Sequence, residues 1–261
     1  MDDFKPFLQI IHISDLHVSN PKSAEAVAVR GSIRKLRRFL PDAVIAAIED
    51  GIAPHDRLAI GLFKEFLQKL TTQDKSWCDC KTWLVDTGDL TSLGDQDSLN
   101  LGMQFLNDLA KVCPDSAWIY GNHDAWPGKI PFWAASAEVA SQKKALSKLK
   151  YNINSPKLAL EAEVPNGAVV QLFALDSISH NRWNNLRAVG EISEEQLNDF
   201  ASLVDQNYKS DQRQFRILAV HHPVHYPPPR PHFQCHCATI AGWQLFSIRR
   251  VKKELTRWRT W

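Results

Sequence analysis

Much that would place this chain at once in a special class is missing from it. No apolar run reaches the ~18 residues of a transmembrane helix, so no membrane span is expected. The opening residues, Met1 to Phe7, are acidic and lack the apolar core of a signal peptide, so no secretory leader is expected either. Charge of one sign is not in excess. The 31 Lys and Arg stand against 29 Asp and Glu, a net +2 that gives no electrostatic case for a membrane or nucleic-acid partner. Cysteine is scarce and odd in number: Cys78, Cys80, Cys113, Cys235 and Cys237. That argues against a disulfide framework and for a reducing compartment, read here as the cytoplasm. What remains is ordinary: 261 residues, 44% hydrophobic and 23% charged, enough chain to bury a core without disulfides or a structural metal. The reading is a single domain over 1–261.

Four apolar runs break abruptly into short polar clusters. Phe7 to Ser14 ends in Asp15-Leu16-His17, and Thr82 to Val85 is followed by Asp86-Thr87-Gly88-Asp89. Ala117 to Tyr120 ends in Gly121-Asn122-His123-Asp124, and Phe215 to Val220 in His221-His222-Pro223. Each reads as a buried strand running into a loop. Lys157 to Val164 and Ala168 to Leu175 read as two further strands joined by a turn at Pro165-Asn166-Gly167. Between the strands lie helical patterns at Arg57 to Leu70 and Leu99 to Val112. A third begins at Ser193, where Gln196 gives a capping-box-like start. Alternating strands and helices indicate an α/β layered fold. The stretch 18–81 is mostly helical and longer than a simple crossover; it reads as an insertion that caps the site.

In open α/β sheets ligands gather at the carboxyl ends of strands, so these clusters are expected to converge. Asp15, His17, Asp89, Asn122, His123 and His221 together offer carboxylate, amide and imidazole but no thiolate, a donor set for Mn, Fe or Zn. Two such ions can clamp a phosphate and generate a nucleophile from water at neutral pH. Singly, each cluster is a common turn or loop; four in order, each after an apolar strand, are not.

The order Asp15-Leu16-His17, Gly88-Asp89, Gly121-Asn122-His123-Asp124, His221-His222-Pro223 resembles the calcineurin-like metallophosphoesterase superfamily over about residues 8–225. The His-His-Pro form and Leu175-Asp176-Ser177 resemble its branch of cyclic-nucleotide and glycerophosphodiester phosphodiesterases. The resemblance implies a four-layer sandwich of two mixed β-sheets flanked by helices, with two divalent metal ions at the strand ends. It implies Asp15 and His17 on the first metal, Asp89 bridging both, and Asn122 and His221 on the second. His123 is implied as the general acid, with Asp124 orienting its ring. His222 is left either as an alternative ligand or as packing behind His221.

The chain departs from that family in one place. The expected Gly-His-x-His segment is missing, and 233–261 is an atypical tail, rich in Trp and Arg from Gly242 onward. A shifted or shortened reading frame would explain this, as would real divergence with His232 or His236 as substitute ligands. Loss of activity would explain it as well. The leading expectation is a metal-dependent phosphoesterase hydrolysing a phosphodiester, or a phosphomonoester, of a small phosphorylated substrate. Its rivals are a vestigial phospho-ligand-binding protein and a nuclease of the same superfamily. Trp126 and the segment His180-Asn181-Arg182-Trp183 are further candidates for the substrate cleft.

Overall fold

The computed structural model describes residues 7–43, 45, 46, 49, 57–73, 80–125, 155–178 and 190–222. The expectations on Trp126, His180 to Trp183, His232, His236 and the 233–261 tail lie outside the described residues.

Three strands form the first sheet in the order β1 (Leu8–Ile13), β2 (Lys81–Asp86), β3 (Asp115–Trp118), all parallel. Parallel neighbours need a crossover rather than a hairpin. Helices α1 (Ala24–Leu36) and α2 (Arg57–Gln73) lie between β1 and β2, and α3 (Gln96–Ala110) lies between β2 and β3. Cap chemistry fixes where two of these helices start. Ser23 accepts a hydrogen bond from the Ala26 amide (3.1 Å), and Asp95 accepts one from the Ser98 amide (3.0 Å). Accordingly α3 begins at Gln96, three residues before the first periodic leucine, Leu99.

The second sheet runs β4 (Lys157–Val164), β5 (Ala168–Ala174), β6 (Gln214–Ala219). Strands β4 and β5 form an antiparallel hairpin through the expected Pro165–Gly167 turn, where Gly167 has φ 69°. Strand β6 joins β5 in parallel after the crossover helix α4 (Glu194–Gln206). Among the described residues the first sheet is therefore parallel throughout, and mixing is confined to the second.

Alternation along the strands builds four layers. Trp83, Val85, Ala117 and Ile119 of the first sheet face Ala162, Val170, Leu172, Ala174 and Ile217 of the second. Leu84, Ile11, Ile13 and Trp118 point the opposite way, against Leu67 of α2 and Leu106 and Leu109 of α3. On the far side, Phe173 and Leu218 meet Phe200 and Val204 of α4. Both faces of each sheet are covered, which is why the strands read as almost unbroken apolar runs. Trp83 and Leu172 are fully buried. Emptying such a position to alanine typically costs about 2–5 kcal/mol. Gln171, fully buried on β5, is satisfied by Glu161, the Asn207 carbonyl and Arg216. The first-sheet strands point the same way, so the loops that follow them share one rim of the sandwich.

Candidate metal centre

At that rim the loops after β1 and β2 continue side by side. The amides of Asp15, His17 and Val18 donate to the carbonyls of Gly88 (2.8 Å), Asp89 (2.9 Å) and Leu90 (2.8 Å). Among the described residues, the non-glycine residues of positive φ are Asp15 (56°), His17 (47°) and Asp89 (54°). Such backbone is uncommon outside glycine and collects at functional sites. Here it falls on three residues that the sequence pattern had singled out. Two glycines make the packing possible. A Cβ on Gly88 would lie 2.4 Å from the Gly121 nitrogen, and one on Gly121 would lie 2.0 Å from Asp89 Oδ1. Only bare backbone lets the β2 and β3 loops approach this closely.

Asp89, almost fully buried, stands at the centre of the imidazoles. Its Oδ2 faces His17 Nε2 at 3.8 Å and His123 Nε2 at 3.9 Å. Its Oδ1 faces His221 Nε2 at 3.4 Å and accepts the His123 amide at 2.9 Å. Asp15 Oδ1 stands 3.9 Å from His17 Nε2, and Asn122 Oδ1 stands 3.0 Å from His221 Nε2. Burial would raise the Asp89 carboxyl, but His221, His123 and His17 together hold it well below the usual carboxylate range. Burial would likewise lower His221, yet the Asp89 charge pushes it up to about 9. Both ring nitrogens of His221 meet acceptors, Nδ1 the Thr87 carbonyl at 2.9 Å and Nε2 the Asn122 oxygen, which suits a protonated ring.

The two histidines of the pair part company. His221 turns toward Asp89 and Asn122. His222 packs behind it, rings 4.7 Å apart, with Nδ1 2.9 Å from Ser177 Oγ. Burial, then the His221 charge, push His222 down to about 4. Gly190 makes room for it, since a Cβ there would lie 2.4 Å from His222 Cβ.

One expected contact is corrected. Asp124 does not supply the group that orients the His123 ring; His123 Nδ1 lies 2.8 Å from the Ser92 carbonyl instead. A carbonyl only accepts, so Nδ1 carries a proton and Nε2 is turned toward Asp89. Asp124 uses its oxygens on loop donors: the amides of Leu90 (3.2 Å), Thr91 (2.8 Å) and Gly121 (2.9 Å), and the Thr91 hydroxyl (3.0 Å). Burial, then the Asp89 charge, raise its carboxyl above the usual range. Ser92 was not singled out from the sequence. It lies in a Thr-Ser-Leu-Gly loop with no residue pattern that marks a carbonyl as a histidine partner.

The donor set fits divalent cations. His17, Asp89 and His123 place one donor atom each within 4.8 Å of one another. Their nitrogen–oxygen separations are too long for hydrogen bonds. They approach the edges of a coordination shell, about 3.4 Å for ligands ~2.1 Å from a tetrahedral ion. The backbone carbonyls on the Nδ1 atoms of His123 and His221 are partners of the kind that metal-ligating imidazoles commonly have.

A family model described as calcineurin-like phosphoesterase matches residues 8–244, most of the chain, and the protein belongs to that family. No curated protein matches the chain. Membership makes a metal-dependent phosphoesterase the activity class suggested for the protein. Among the described residues no helix is long and apolar enough to cross a membrane.

Proposed function

We propose that the protein hydrolyses a phosphodiester of a small phosphorylated substrate at a site holding two divalent cations, Mn, Fe or Zn. The observation that carries this reading is the two-sided environment of one buried carboxylate. Asp89 Oδ2 faces His17 and His123 while Oδ1 faces His221 beside Asn122. Asp15 and His17 would hold one cation, Asn122 and His221 the other, and Asp89 would bridge them. Bound there, the cations supply positive charge for phosphate oxygens and make water acidic enough to act as a nucleophile near neutral pH. His123 would hold a proton at Nε2 for the leaving oxygen, its Nδ1 fixed on Ser92. Asp124 would tie the β2 and β3 loops together beneath it. The single domain and a cytoplasmic location belong to the same reading; the latter rests on the scarce, odd-numbered cysteines of the sequence.

The test is Asp89→Asn, assayed for bound metal and for hydrolysis of bis(p-nitrophenyl) phosphate. Loss of both with the fold retained is expected; unaltered metal content and rate would sink the reading. A second reading makes His123 a ligand, favoured by its place in the three-residue donor group with His17 and Asp89. His123→Ala separates the two. A general acid leaves metal content intact and lowers turnover ~10²–10⁴-fold, less for a nitrophenyl leaving group. A ligand loses the metal.

A further inference from the structure

The residues assigned to the cations come unevenly from the two sheets. Asp15, His17, Asp89, Asn122 and His123 follow strands of the first sheet, whereas His221 follows β6 of the second. The separation of the two rims therefore sets how His221 meets Asn122 at 3.0 Å and Asp89 at 3.4 Å. The apolar layer between the sheets holds them together, but apolar contact is non-directional and does not by itself fix that distance to a fraction of an ångström.

A polar bridge crosses the gap beside the site. Tyr120, the residue before Gly121-Asn122-His123, donates its hydroxyl to Asp176 Oδ2 at 2.8 Å, and Asp176 lies just beyond the end of β5. Asp176 is itself held from the far side. Its amide donates to Gln196 Oε1 (2.8 Å) and Ser155 Oγ (2.6 Å), and its carbonyl accepts from Gln196 Nε2 (2.8 Å). Its Oδ1 takes the Ile178 amide at 2.7 Å, which fixes the carboxylate for the tyrosine. Gln196 is rooted in the first turn of α4, where its amide donates to the Ser193 cap at 3.2 Å. Instead of reaching back to that cap, as a capping box would, its side chain grips both polar groups of the Asp176 peptide. A continuous polar line thus runs from the start of α4 through Asp176 and Tyr120 to the loop that carries Asn122. Burial, then the Asp176 carboxylate, push the Tyr120 phenol upward, so it remains a donor at working pH.

We propose that Tyr120 and Asp176 are positioning residues for the metal centre: their bond sets the distance between the sheets at which Asn122 and His221 share a cation. This rests on the two-cation reading above. Neither residue touches a cation or substrate in it, and both act through the Asn122 loop.

Tyr120→Phe removes one oxygen and keeps the packed ring. In the full chain, titration with Co²⁺ followed by its visible absorption reads the cation sites without any turnover. The cation bound by Asp15 and His17 should keep its affinity. The one bound by Asn122 and His221 should weaken about tenfold, the scale of one lost hydrogen bond to a charged group. Asp176→Ala should do the same, and the double variant should lose no more than either alone, because the two act as a unit. Equal weakening of both cations alongside a lower melting temperature would overturn the proposal in favour of a general structural role. Unchanged binding of both, or losses that add in the double variant, would also overturn it. Should the unaltered protein bind fewer than two equivalents, the metal-centre reading fails and takes this inference with it. Two equivalents bound alike by parent and variant defeat the inference alone.

Discussion

Replacing Asp124 by asparagine changes no shape and asks what the carboxylate is for. The two oxygens receive four donors, Leu90 N and Gly121 N on Oδ2 and Thr91 N and Oγ1 on Oδ1. An asparagine must present its NH₂ to one pair. The less costly orientation faces Thr91, whose hydroxyl can turn and accept, but the Thr91 amide is then left opposite another donor. A buried donor without an acceptor costs about 1–3 kcal/mol, and the remaining bonds lose their charge assistance. Removing a carboxylate strained by burial and by the Asp89 charge returns part of this. The net expectation is a loss of about 2–4 kcal/mol, read from urea unfolding at pH 7 with chelator present. Activity at saturating Mn²⁺ and low temperature should remain near the parent value, because the His123 ring is held by Ser92. A variant that unfolds within about 1 kcal/mol of the parent yet loses ~10²-fold or more in turnover would refute this. It would return Asp124 to the role of orienting His123.

Gly121→Ala would drive a methyl group to 2.0 Å from Asp89 Oδ1 and 2.3 Å from the Asp89 amide. Backbone cannot give way there, so a loss of about 3 kcal/mol or more is expected together with weaker metal binding; circular-dichroism melting unchanged from the parent would contradict it. His221 predicts a pH dependence with opposite signs for the free and loaded protein. Its folded value of about 9 lies above the ordinary 6.5, so its contribution to the metal-free fold is complete below about pH 6.5. That contribution, at most about 3 kcal/mol, is lost as pH rises through 9. Cation binding must displace the same proton, so affinity measured by calorimetry should rise roughly tenfold per pH unit from 6.5 to 8.5, and a flat profile would contradict the assignment.

Much of the architecture was legible because burial on both faces writes a strand as an apolar run. The edges of β1, β2, β3 and β6 fell within a few residues of those runs, and the Pro-Asn-Gly turn marked its hairpin. Helix α1 was harder to read, since Val27 lies exposed within it and blurs the apolar stripe. The start of α3 was displaced because a cap aspartate, not apolar periodicity, decides where a helix begins. At the candidate site, residue types at strand ends singled out Asp15, His17, Asp89, Asn122, His123 and His221, which the fold brings to one rim. Their partners were not legible. An aspartate next to a histidine reads as its orienter, yet in a tight loop the side chain of Asp124 folds back onto backbone amides. The carbonyls that fix the His123 and His221 rings belong to Ser92 and Thr87, and a carbonyl leaves no trace in side-chain identity.

The positive-φ residues bear on how the loops hold the shape of the site. Holding Asp15, His17 and Asp89 in left-handed backbone costs on the order of 1–2 kcal/mol each. The offset comes from the loops themselves. Each conformation presents an amide or carbonyl to the neighbouring loop, in the Asp15–Gly88, His17–Asp89 and Val18–Leu90 bonds, and Ser92 closes the series with its hydroxyl on the His17 carbonyl at 2.9 Å. Asp124 then fastens the β2 loop to the β3 loop, and the glycines at 88 and 121 allow the contact. The carboxylate of Asp89 is thus held among its imidazoles by hydrogen bonds between the loops, which keep the donor atoms of the site in a fixed arrangement.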